Sequence, residues 1–234
     1  MCRTPAAAFF GRKNGYALSR CGSCGFVFLD PMPTRDELAN LYRDEAGITA
    51  DFYPKADSRF RRAFIKAIKF AGYIRGRDVI DVGCGGGFVA EAMRRVGGRA
   101  TGLDISGRAI AYARRRFPSC EFARGVLEEF QETGRSFDFV YCSEVIEHVA
   151  DADAFAAALA RICRPGGRLF VTTPDIGHWR VPKDLVSWSL VDPPRHVRYF
   201  NAKSLTSLLE RHGFTVRRKM FKLKPGLQVL AERV

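Results

Sequence analysis

The sequence predicts an α/β fold built on a doubly wound sheet of seven mainly parallel strands, with an antiparallel last strand. Two patterns predict the parallel part. Short apolar runs alternate with segments of helical period, and a glycine-rich turn follows the first buried run, DVIDVGCGGG. The last two apolar runs, 215–220 and 227–232, are joined by a short turn at Pro225 and Gly226. Because a short turn can join only antiparallel neighbours, we expect the sheet to end in an antiparallel strand.

The central unit of this fold spans residues 78–104. An apolar run predicts a buried strand at 79–82, and apolar positions of helical period predict a helix from Phe88 to the Gly-Gly pair at 97–98. A second strand, 100–105, carries Asp104 about twenty residues after the glycine-rich turn. A strand, a glycine-rich turn, a helix and a strand with an acid near its end are the layout of a nucleotide-binding half-fold.

Two helices are predicted ahead of this unit. Thr34 and Glu37 have the spacing of a capping box, which predicts a helix over 34–42, and 59–73 has an apolar stripe with a basic face. We therefore expect an N-terminal accessory segment at 1–58 and the main domain at 59–234. Phe52, Tyr53 and Arg59 are candidates for lid contacts over a nucleotide, although core packing explains the aromatic residues equally well.

The alternation continues after residue 104. Helices are predicted at 109–117, 154–163 and 204–212, strands at 120–123, 137–142 and 168–173, and a turn or short helix at 127–130. Residues 174–200 interrupt the pattern with prolines and both tryptophans. Because acceptor pockets in such folds are built from irregular segments, we expect residues 30–60 and 174–200 to form the pocket for a second substrate.

The composition bears on the partners of the protein and on its cellular compartment. The formal charge of +13 includes arginine and lysine runs at 114–116 and 217–219, which either lie on solvated faces or mark an anionic partner. No apolar run approaches the roughly 20 residues of a membrane span, and the apolar stretch near the start is too short for a signal peptide. Seven cysteines, mostly at small apolar positions, indicate a reducing compartment. Cytoplasmic residence is the expectation, and the oligomeric state is open.

Cys21 and Cys24 form a CxxC turn in the accessory segment, a spacing that can aim two thiolates at one zinc ion. A structural zinc site has four ligands, and Cys2 is the only third ligand at hand in this part of the chain. The turn is therefore either metal-free, or a further cysteine precedes Met1 in a longer chain.

Two residues indicate which nucleotide the glycine loop binds. Phe88 stands where a dinucleotide-binding GxGxxG loop has its third glycine, and its bulk is unfavourable under a pyrophosphate. Asp81 places a carboxylate at the end of the strand beside the ligand, which would repel a diphosphate. A ligand that carries an ammonium and a sulfonium group fits better.

Four motifs, DVGCGGG, LDIS, YCSEVIEHV and RPGGRLFVTTP, resemble those of class I S-adenosylmethionine-dependent methyltransferases, which have a Rossmann-like fold; the resemblance covers residues 60–234. The tail PPRHVRYFNAKSLTSLLERHGF further resembles the group that includes ubiquinone-biosynthesis O-methyltransferases. The leader RCGSCGFVFLDPMPTRDELANLY resembles a zinc-knuckle leader of some bacterial members.

The resemblance implies a set of cofactor-binding residues. Asp104 is expected to accept both ribose hydroxyls, and Ile105 to flank the adenine ring. Val126 stands where the family often has an aspartate for the adenine amino group, so that contact falls to the backbone of Val126 and Leu127. Ser143 and Glu144 are expected to face the methyl end. The methionine part is assigned to the first strand and its turn: Asp81, Gly83, Cys84, Gly85 and Gly87.

The candidate catalytic residues are His148, Glu144 and His196. The segment EVIEHV spaces Glu144 and His148 four apart, so on a helical turn they share a face, with Glu147 adjacent. His148 is either a general base or a cap of its turn, and His196 is either a base in an aromatic lid or bonded to the backbone. In the ubiquinone-type relatives this stretch has been associated with a divalent metal, which implies a possible site at Glu144, Glu147 and His148.

The leading functional hypothesis is methyl transfer to a hydroxyl oxygen of a small molecule. The basic charge suggests an alternative, an RNA methyltransferase or RNA-binding module. Against it, the chain reads CSEV where enzymes that methylate base amines resemble one another in an Asn/Asp-Pro-Pro-Tyr/Phe motif, and the arginine runs lack interleaved aromatic residues for stacking. A third reading is a pseudoenzyme that binds the cofactor as a subunit.

Overall fold

The computed structural model describes residues 7–43, 53–220 and 223–234. Phe52 and Cys2, which enter the predictions above, lie outside this part of the chain. The strands are, in chain order, β1 (Ala7–Lys13), β2 (Tyr16–Cys21), β3 (Val27–Leu29), β4 (Asp78–Val82), β5 (Arg99–Asp104), β6 (Glu121–Arg124), β7 (Phe137–Ser143), β8 (Cys163–Thr173), β9 (Arg198–Tyr199), β10 (Phe214–Lys219) and β11 (Leu227–Arg233). The helices are α1 (Arg35–Arg43), α2 (Ala56–Lys69), α3 (Ala71–Ile74), α4 (Phe88–Arg95), α5 (Gly107–Arg116), α6 (Leu127–Phe130), α7 (Ala152–Ile162) and α8 (Ala202–Arg211).

The main sheet confirms the predicted fold class. Its seven strands have the order β10-β11-β8-β7-β4-β5-β6. The five strands from β8 to β6 are parallel, and β11 runs antiparallel to both of its neighbours. The chain therefore winds outward from β4 in both directions. This arrangement places the carboxyl ends of β4, β5, β6 and β7 along one edge of the sheet, where ligands bind in open α/β folds.

Alternating residues of the strands fill two cores, one on each face of the sheet. In β4, Val79 packs with the cluster formed by α2, α3, α4 and α5, whereas Ile80 and Val82 pack with α6, α7 and α8. Strands buried on both faces explain why the sequence reads as continuous apolar runs rather than as alternation. The central βαβ unit is thus held rigidly between two layers of helices.

A second, four-stranded sheet of order β1-β2-β3-β9 was not predicted. Its first hairpin turns at Asn14 and Gly15, both with positive φ, and Asn-Gly between two short runs is a strong hairpin signal that the sequence carried. The strand β9 comes from the irregular segment 174–200, far along the chain. The sheet therefore links the accessory segment to the main domain, and the proposed boundary at residue 58 stays a prediction.

Cys21 and Cys24 lie at the turn between β2 and β3, where the amide of Cys21 donates to the carbonyl oxygen of Phe26 at 2.8 Å. Cys21 is buried in the main core. Within the described ranges, no group of three potential metal ligands includes either cysteine, so the structure gives no support to a zinc knuckle. Among the helices of these ranges, none is long and apolar enough to cross a bilayer. Cytoplasmic residence stays a prediction.

Candidate active site

A cavity of about 380 Å³ lies at the carboxyl ends of β4, β5, β6 and β7. Its floor consists of the residues that close these strands and begin the following turns. One wall of the cavity comes from Arg35 and Leu38 of α1 and from Tyr53, which precedes α2. The predicted pocket segment 30–60 thus reaches the cavity, whereas residues 174–200 do not line it.

The glycine loop after β4 closes tightly around this cavity. Gly83 has φ of +74°, and a Cβ there would overlap the Cγ2 of Val145. The amide of Gly83 donates to the carbonyl oxygen of Leu103 at 2.8 Å, and the amide of Gly85 donates to the Asp104 carboxylate at 2.7 Å. The backbone at Gly83 is left-handed, and the Val145 side chain fills the space that a Cβ would take. Only glycine therefore fits this position without strain.

Asp104 is held in one orientation at the end of β5. One carboxylate oxygen accepts from Gly85, and the other accepts from the amide of Ser106 at 2.8 Å. Ser106 in turn caps α5 by accepting from the amide of Ala109. Asp104 lines the cavity, and a carboxylate has about four lone-pair sites, so it has the capacity to accept from ligand hydroxyls there.

An apolar part of the cavity lies next to Asp104. Ile105, Val126 and Leu127 all line it, as predicted for the adenine end. A backbone hydrogen bond holds the chain after β6 next to the end of β5: the amide of Gly125 donates to the carbonyl oxygen of Asp104 at 3.0 Å. Glu128 lies at the same end.

Four predicted cofactor residues do not line the cavity. Asp81 is buried, and its carboxyl group accepts from the amide of Ala90 in the first turn of α4. Burial, together with the nearby Asp104, raises the pKa of Asp81 to about 8. The side chain therefore lies behind the glycine loop, where it supports the start of α4. A direct contact between Asp81 and a ligand stays a prediction.

The other three support the cavity from outside. Cys84 is buried in the core cluster beside α4, and burial raises the pKa of its thiol well above the ordinary value. Gly87 makes room for the ring of Phe122, which a Cβ would contact at 2.7 Å. The Ser143 hydroxyl bonds to the hydroxyl of Thr172 at 2.7 Å. These residues shape the loops that line the cavity.

Glu144 is a lining residue with an unusual backbone. Its φ of +57° is left-handed although it carries a side chain. Its amide donates to the carbonyl oxygen of Thr172 at 2.9 Å, and its carboxylate accepts from the Thr172 hydroxyl at 2.7 Å. Local strain of this kind costs on the order of 1–3 kcal/mol and is concentrated at functional sites. Thr172 thus aims Glu144 at the cavity.

Glu147 is almost fully buried beneath Glu144. Its carboxyl group accepts from the hydroxyl of Thr173 at 3.0 Å. Burial and the nearby Glu144 raise the pKa of Glu147 above its ordinary value, which disfavours the ionised form. Its other oxygen lies 4.0 Å from Nε2 of His148.

His148 lines the cavity with a defined tautomer. Its Nδ1 is 2.7 Å from the carbonyl oxygen of Arg195. A carbonyl can only accept, so Nδ1 carries the proton and Nε2 is the basic nitrogen. Burial lowers the pKa of His148 to about 4, with the nearby His196 acting in the same direction. At neutral pH the imidazole is therefore uncharged and able to take up a proton.

His196 lies behind His148 rather than in the cavity wall. The two rings pack edge to face with 4.8 Å between centroids. Nδ1 of His196 is 2.7 Å from the carbonyl oxygen of Leu190, so this histidine is also bonded to the backbone. The contact brings together the two histidines that the sequence singled out, but only His148 lines the cavity.

Long-range backbone bonds hold this histidine pair in place. The amide of Val197 donates to the carbonyl oxygen of Glu147 at 2.9 Å, and Nε of Arg198 donates to that of Val149 at 2.8 Å. Arg198 and the next residue form β9, which pairs with β3 of the accessory segment. The position of His148 thus depends on a sheet that the sequence did not predict.

One group of potential metal ligands occurs among the described residues. Glu147, His148 and His196 each offer an atom within 4.8 Å of the others. This set differs from the predicted one, because it contains His196 in place of Glu144. A cation there would need the ionised form of Glu147, which burial disfavours.

Tyr53 contacts the glycine loop and also packs against the core cluster beside α4, so its role as a lid over a nucleotide stays a prediction. Its ring packs against Phe88 with 5.4 Å between centroids, and the guanidinium of Arg59 lies 5.6 Å from its centre. Burial and the Asp104 carboxylate raise the pKa of Tyr53 to about 12. Arg35 and Leu38 were not singled out, although the capping box located their helix; Arg35 lies 3.8 Å from Glu128 across the cavity.

This sheet order, glycine loop and carboxylate at the end of β5 define a class I S-adenosylmethionine-dependent methyltransferase fold. Residues 56–219 match the family model described as a methyltransferase domain. The chain therefore belongs to this family of methyltransferase domains.

Relatives and solved structures agree with that assignment. A "Probable S-adenosylmethionine-dependent methyltransferase" of Mycolicibacterium smegmatis is 36% identical over 157 residues, 67% of this chain and 59% of that protein. A ubiquinone biosynthesis O-methyltransferase of Agrobacterium fabrum is 39% identical over 104 residues, 43% of this chain and 42% of that protein. The chain thus spans about 40–60% of the length of these two relatives.

The fold has close counterparts of low sequence identity. Magnesium protoporphyrin IX methyltransferase from Synechocystis PCC 6803, solved with S-adenosylmethionine bound, has a TM-score of 0.60 at 17% identity, covering 86% of this chain and 97% of that one. An S-adenosylmethionine-dependent methyltransferase from Mesorhizobium loti has a TM-score of 0.60 at 18% identity, covering 80% and 100%. At these identities the similarity concerns the fold.

Proposed function

We propose that this protein transfers the methyl group of S-adenosylmethionine to a hydroxyl oxygen of a small-molecule acceptor, with His148 as the proton acceptor. The observation that carries the proposal is His148 itself. It is an uncharged imidazole in the cavity wall, a few residues from the end of β7, where the methyl end of the cofactor is expected. The identity of about 39% to an enzyme named as an O-methyltransferase supports oxygen as the acceptor atom.

The residues at the strand ends fit the cofactor. Asp104 offers two fixed carboxylate oxygens for the ribose hydroxyls. Ile105, Val126 and Leu127 offer an apolar enclosure for adenine, and Gly83 and Gly85 line the same cavity at the end of β4, where the amino-acid part is expected. When bound, the cofactor supplies an electrophilic methyl group, and the protein has to orient the acceptor and take up its proton.

His148 is suited to take up that proton. Its Nδ1 proton is engaged with the Arg195 carbonyl oxygen, which fixes the ring and makes Nε2 the accepting atom. The packed His196 ring limits rotation of His148. Glu144, aimed into the cavity by Thr172, is placed to accept from a second donor on the acceptor molecule or from the cofactor's ammonium. General-base catalysis of this kind typically contributes 10²- to 10⁴-fold.

A divalent cation is the alternative use of the same residues. Glu147, His148 and His196 could supply nitrogen and oxygen ligands, and the two carbonyl-bonded histidines have the outer contacts that metal-ligating histidines have. Burial disfavours the ionised form of Glu147 that a cation needs, which favours the metal-free base. Turnover that is unchanged after dialysis against EDTA supports the base; turnover restored only by added Mg²⁺ or Zn²⁺ supports the metal.

The test of the proposal is calorimetric titration with S-adenosylhomocysteine. We expect binding by the unmodified protein and a loss of affinity of about tenfold or more in Asp104→Ala, since two hydrogen bonds to a charged group are removed. Asp57→Ala is the matched control, because the Asp57 side chain is 90% exposed and pairs with Arg116 on the surface. Absence of binding by the unmodified protein contradicts the proposal.

A further inference from the structure

The outer side of α2 carries apolar residues that the core does not use. Ile65 is 68% exposed and Ile68 is 54% exposed, and their spacing of three places them on one side of the helix. The opposite side, with Ala63 and Ala67, packs into the core against α4. Two exposed isoleucines side by side are not needed for folding.

Cations surround these isoleucines. Arg61, Arg62 and Lys69 are all exposed on α2. The single acid of α2, Asp57, does not neutralise them, because it pairs with Arg116 at 3.6 Å. The outer side of α2 is therefore both apolar and positively charged.

The turn between β10 and β11 extends this surface. Nζ of Lys69 lies 3.0 Å from the Sδ of Met220, which brings the end of α2 against the start of the turn. Beyond Met220, Leu223 is 63% exposed and Lys224 is exposed, and Lys219 is exposed ahead of it.

The acid of the β10–β11 hairpin, Glu232, lies opposite Thr215, at the end of the hairpin away from this turn. It pairs with Arg168 at 3.2 Å and with Arg217 at 2.7 Å. The α2 surface, which we define as Arg61, Arg62, Ile65, Ile68, Lys69, Lys219, Leu223 and Lys224, thus combines three exposed aliphatic side chains with five cations.

We propose that the α2 surface docks this protein on a bilayer of anionic phospholipids. A helix that lies in the membrane interface buries aliphatic side chains at the boundary of the acyl chains, while flanking lysines and arginines contact anionic headgroups. Each such cation contributes on the order of 1 kcal/mol near an anionic surface. The protein adheres to one leaflet and does not span the membrane.

The chemistry of the surface favours lipid over nucleic acid. Single-stranded nucleic acids bind on aromatic rings that stack with the bases, whereas the exposed apolar side chains that define the α2 surface, among the residues that the structure describes, are isoleucine and leucine, which cannot stack. The surface is also distinct from the cavity. Ile68 lies twelve residues beyond the start of α2, about 18 Å along the helix from the end next to Tyr53. Docking therefore goes beyond the proposed reaction and does not depend on it.

The test is sedimentation of the full chain with vesicles. Vesicles of about 30% phosphatidylglycerol in phosphatidylcholine are compared with pure phosphatidylcholine, at about 0.1 M salt. We expect the unmodified protein to partition at least about tenfold more strongly onto the anionic vesicles. The double variant Ile65→Ser/Ile68→Ser should lose at least about tenfold in partition, since two aliphatic side chains no longer enter the interface.

Trp179→Ser is the matched control, because Trp179 is 70% exposed and lies outside the α2 surface; its partition should stay within about twofold of the unmodified protein. Titration with S-adenosylhomocysteine shows that each variant is folded. It also separates the two proposals, since vesicle binding without ligand binding contradicts only the proposed function.

Three results would overturn the docking proposal. The first is equal partition of the unmodified protein onto anionic and neutral vesicles. The second is unchanged partition of the isoleucine variant, which indicates adsorption by charge alone. The third is binding of a single-stranded RNA that is tighter than vesicle binding and is weakened by the same isoleucine change, which identifies the surface as a nucleic-acid site.

Discussion

The two proposed halves of the cavity are built in opposite ways. The half proposed for the cofactor comes mainly from one continuous stretch, 82–106, in which Gly83, Gly85 and Asp104 are fixed by bonds between the ends of neighbouring parallel strands; Val126 and Leu127 complete it. The half proposed for the acceptor brings together His148 and the backbone of Arg195 from two distant segments. The first half should control cofactor affinity and the second half turnover, and substitutions can separate the two.

The largest expected effect is on the acceptor half. His148→Ala should lower kcat by about 10²- to 10⁴-fold, because the proton acceptor is removed. Affinity for S-adenosylhomocysteine should stay within about twofold, measured by calorimetry. His178→Ala is the control, since His178 lies on the surface loop after Asp175 and bonds to the amide of Arg180. A fall in kcat of less than about threefold in His148→Ala would exclude the base.

The next largest expected effect is on the affinity of the cofactor half for its ligand. Gly83→Ala should lower affinity for S-adenosylhomocysteine by about tenfold or more, because the new Cβ overlaps Val145 and displaces the loop. Gly134→Ala is a matched control with φ of +70° and no atom within 4 Å of the added Cβ. It should cost only about 1–2 kcal/mol of stability from its backbone conformation. Denaturant unfolding and ligand titration of both variants give the comparison; equal affinities would contradict a tight loop.

The pH dependence of turnover tests the acceptor half in the unmodified protein. The pKa of His148 is lowered to about 4, so the basic, neutral form persists well below the ordinary histidine pKa of about 6.5. With both substrates saturating, kcat should stay level from pH 8 down to about pH 5 and fall below it. An acid limb centred near pH 6.5 would show that His148 is not the titrating base.

The lowered pKa of His148 also affects the stability of the protein in acid. Between about pH 6.5 and pH 4 the unfolded chain binds a proton at residue 148 that the folded chain does not, so stability falls as the pH is lowered through this window. Circular dichroism at each pH of the rate measurement therefore distinguishes lost turnover from unfolding.

The smallest expected effect on ligand binding is at Asp81. Asp81→Asn keeps an acceptor for the amide of Ala90, so affinity for S-adenosylhomocysteine should change by less than about threefold. A loss of tenfold would instead support the direct ligand contact that the sequence suggested.

Stability should respond to Asp81→Asn in a pH-dependent way. The pKa of Asp81 is raised to about 8, so between about pH 4 and pH 8 the folded chain holds a proton that the unfolded chain releases, and stability falls as the pH rises. The variant removes this titration. Its stability relative to the unmodified protein should therefore be greater at pH 8 than at pH 5, by about 1 kcal/mol or more in denaturant unfolding.

Sequence reasoning worked where local pattern decides structure. The strand before Gly83, the turn and Asp104 were placed correctly because buried parallel strands read as apolar runs and the turn needs glycine. It did not anticipate that Asp81 faces the core behind the loop, because the side of a strand on which one polar residue lies depends on the register of a buried run, and such a run does not alternate.

Contacts between distant segments could not be predicted. His148 and His196 were both singled out, but their packing depends on bonds from residues 197–198 to residues 147–149, for which no local signal exists. The hairpin of β1 and β2 had a signal in Asn14-Gly15, whereas β9 has only two residues and forms because β3 offers an edge. Short strands of this kind follow from tertiary structure rather than from propensity.

The pairing of β3 with β9 links the accessory segment to the position of the His148 ring. We expect a chain that begins at residue 59 to keep Gly83, Asp104 and the strands of the main sheet. It would lose β3, which pairs with Arg198 and Tyr199 just after the Arg195 carbonyl that orients the His148 ring. It would also lose Tyr53 from the glycine loop, so a single cut in the chain would disturb both ends of the cavity.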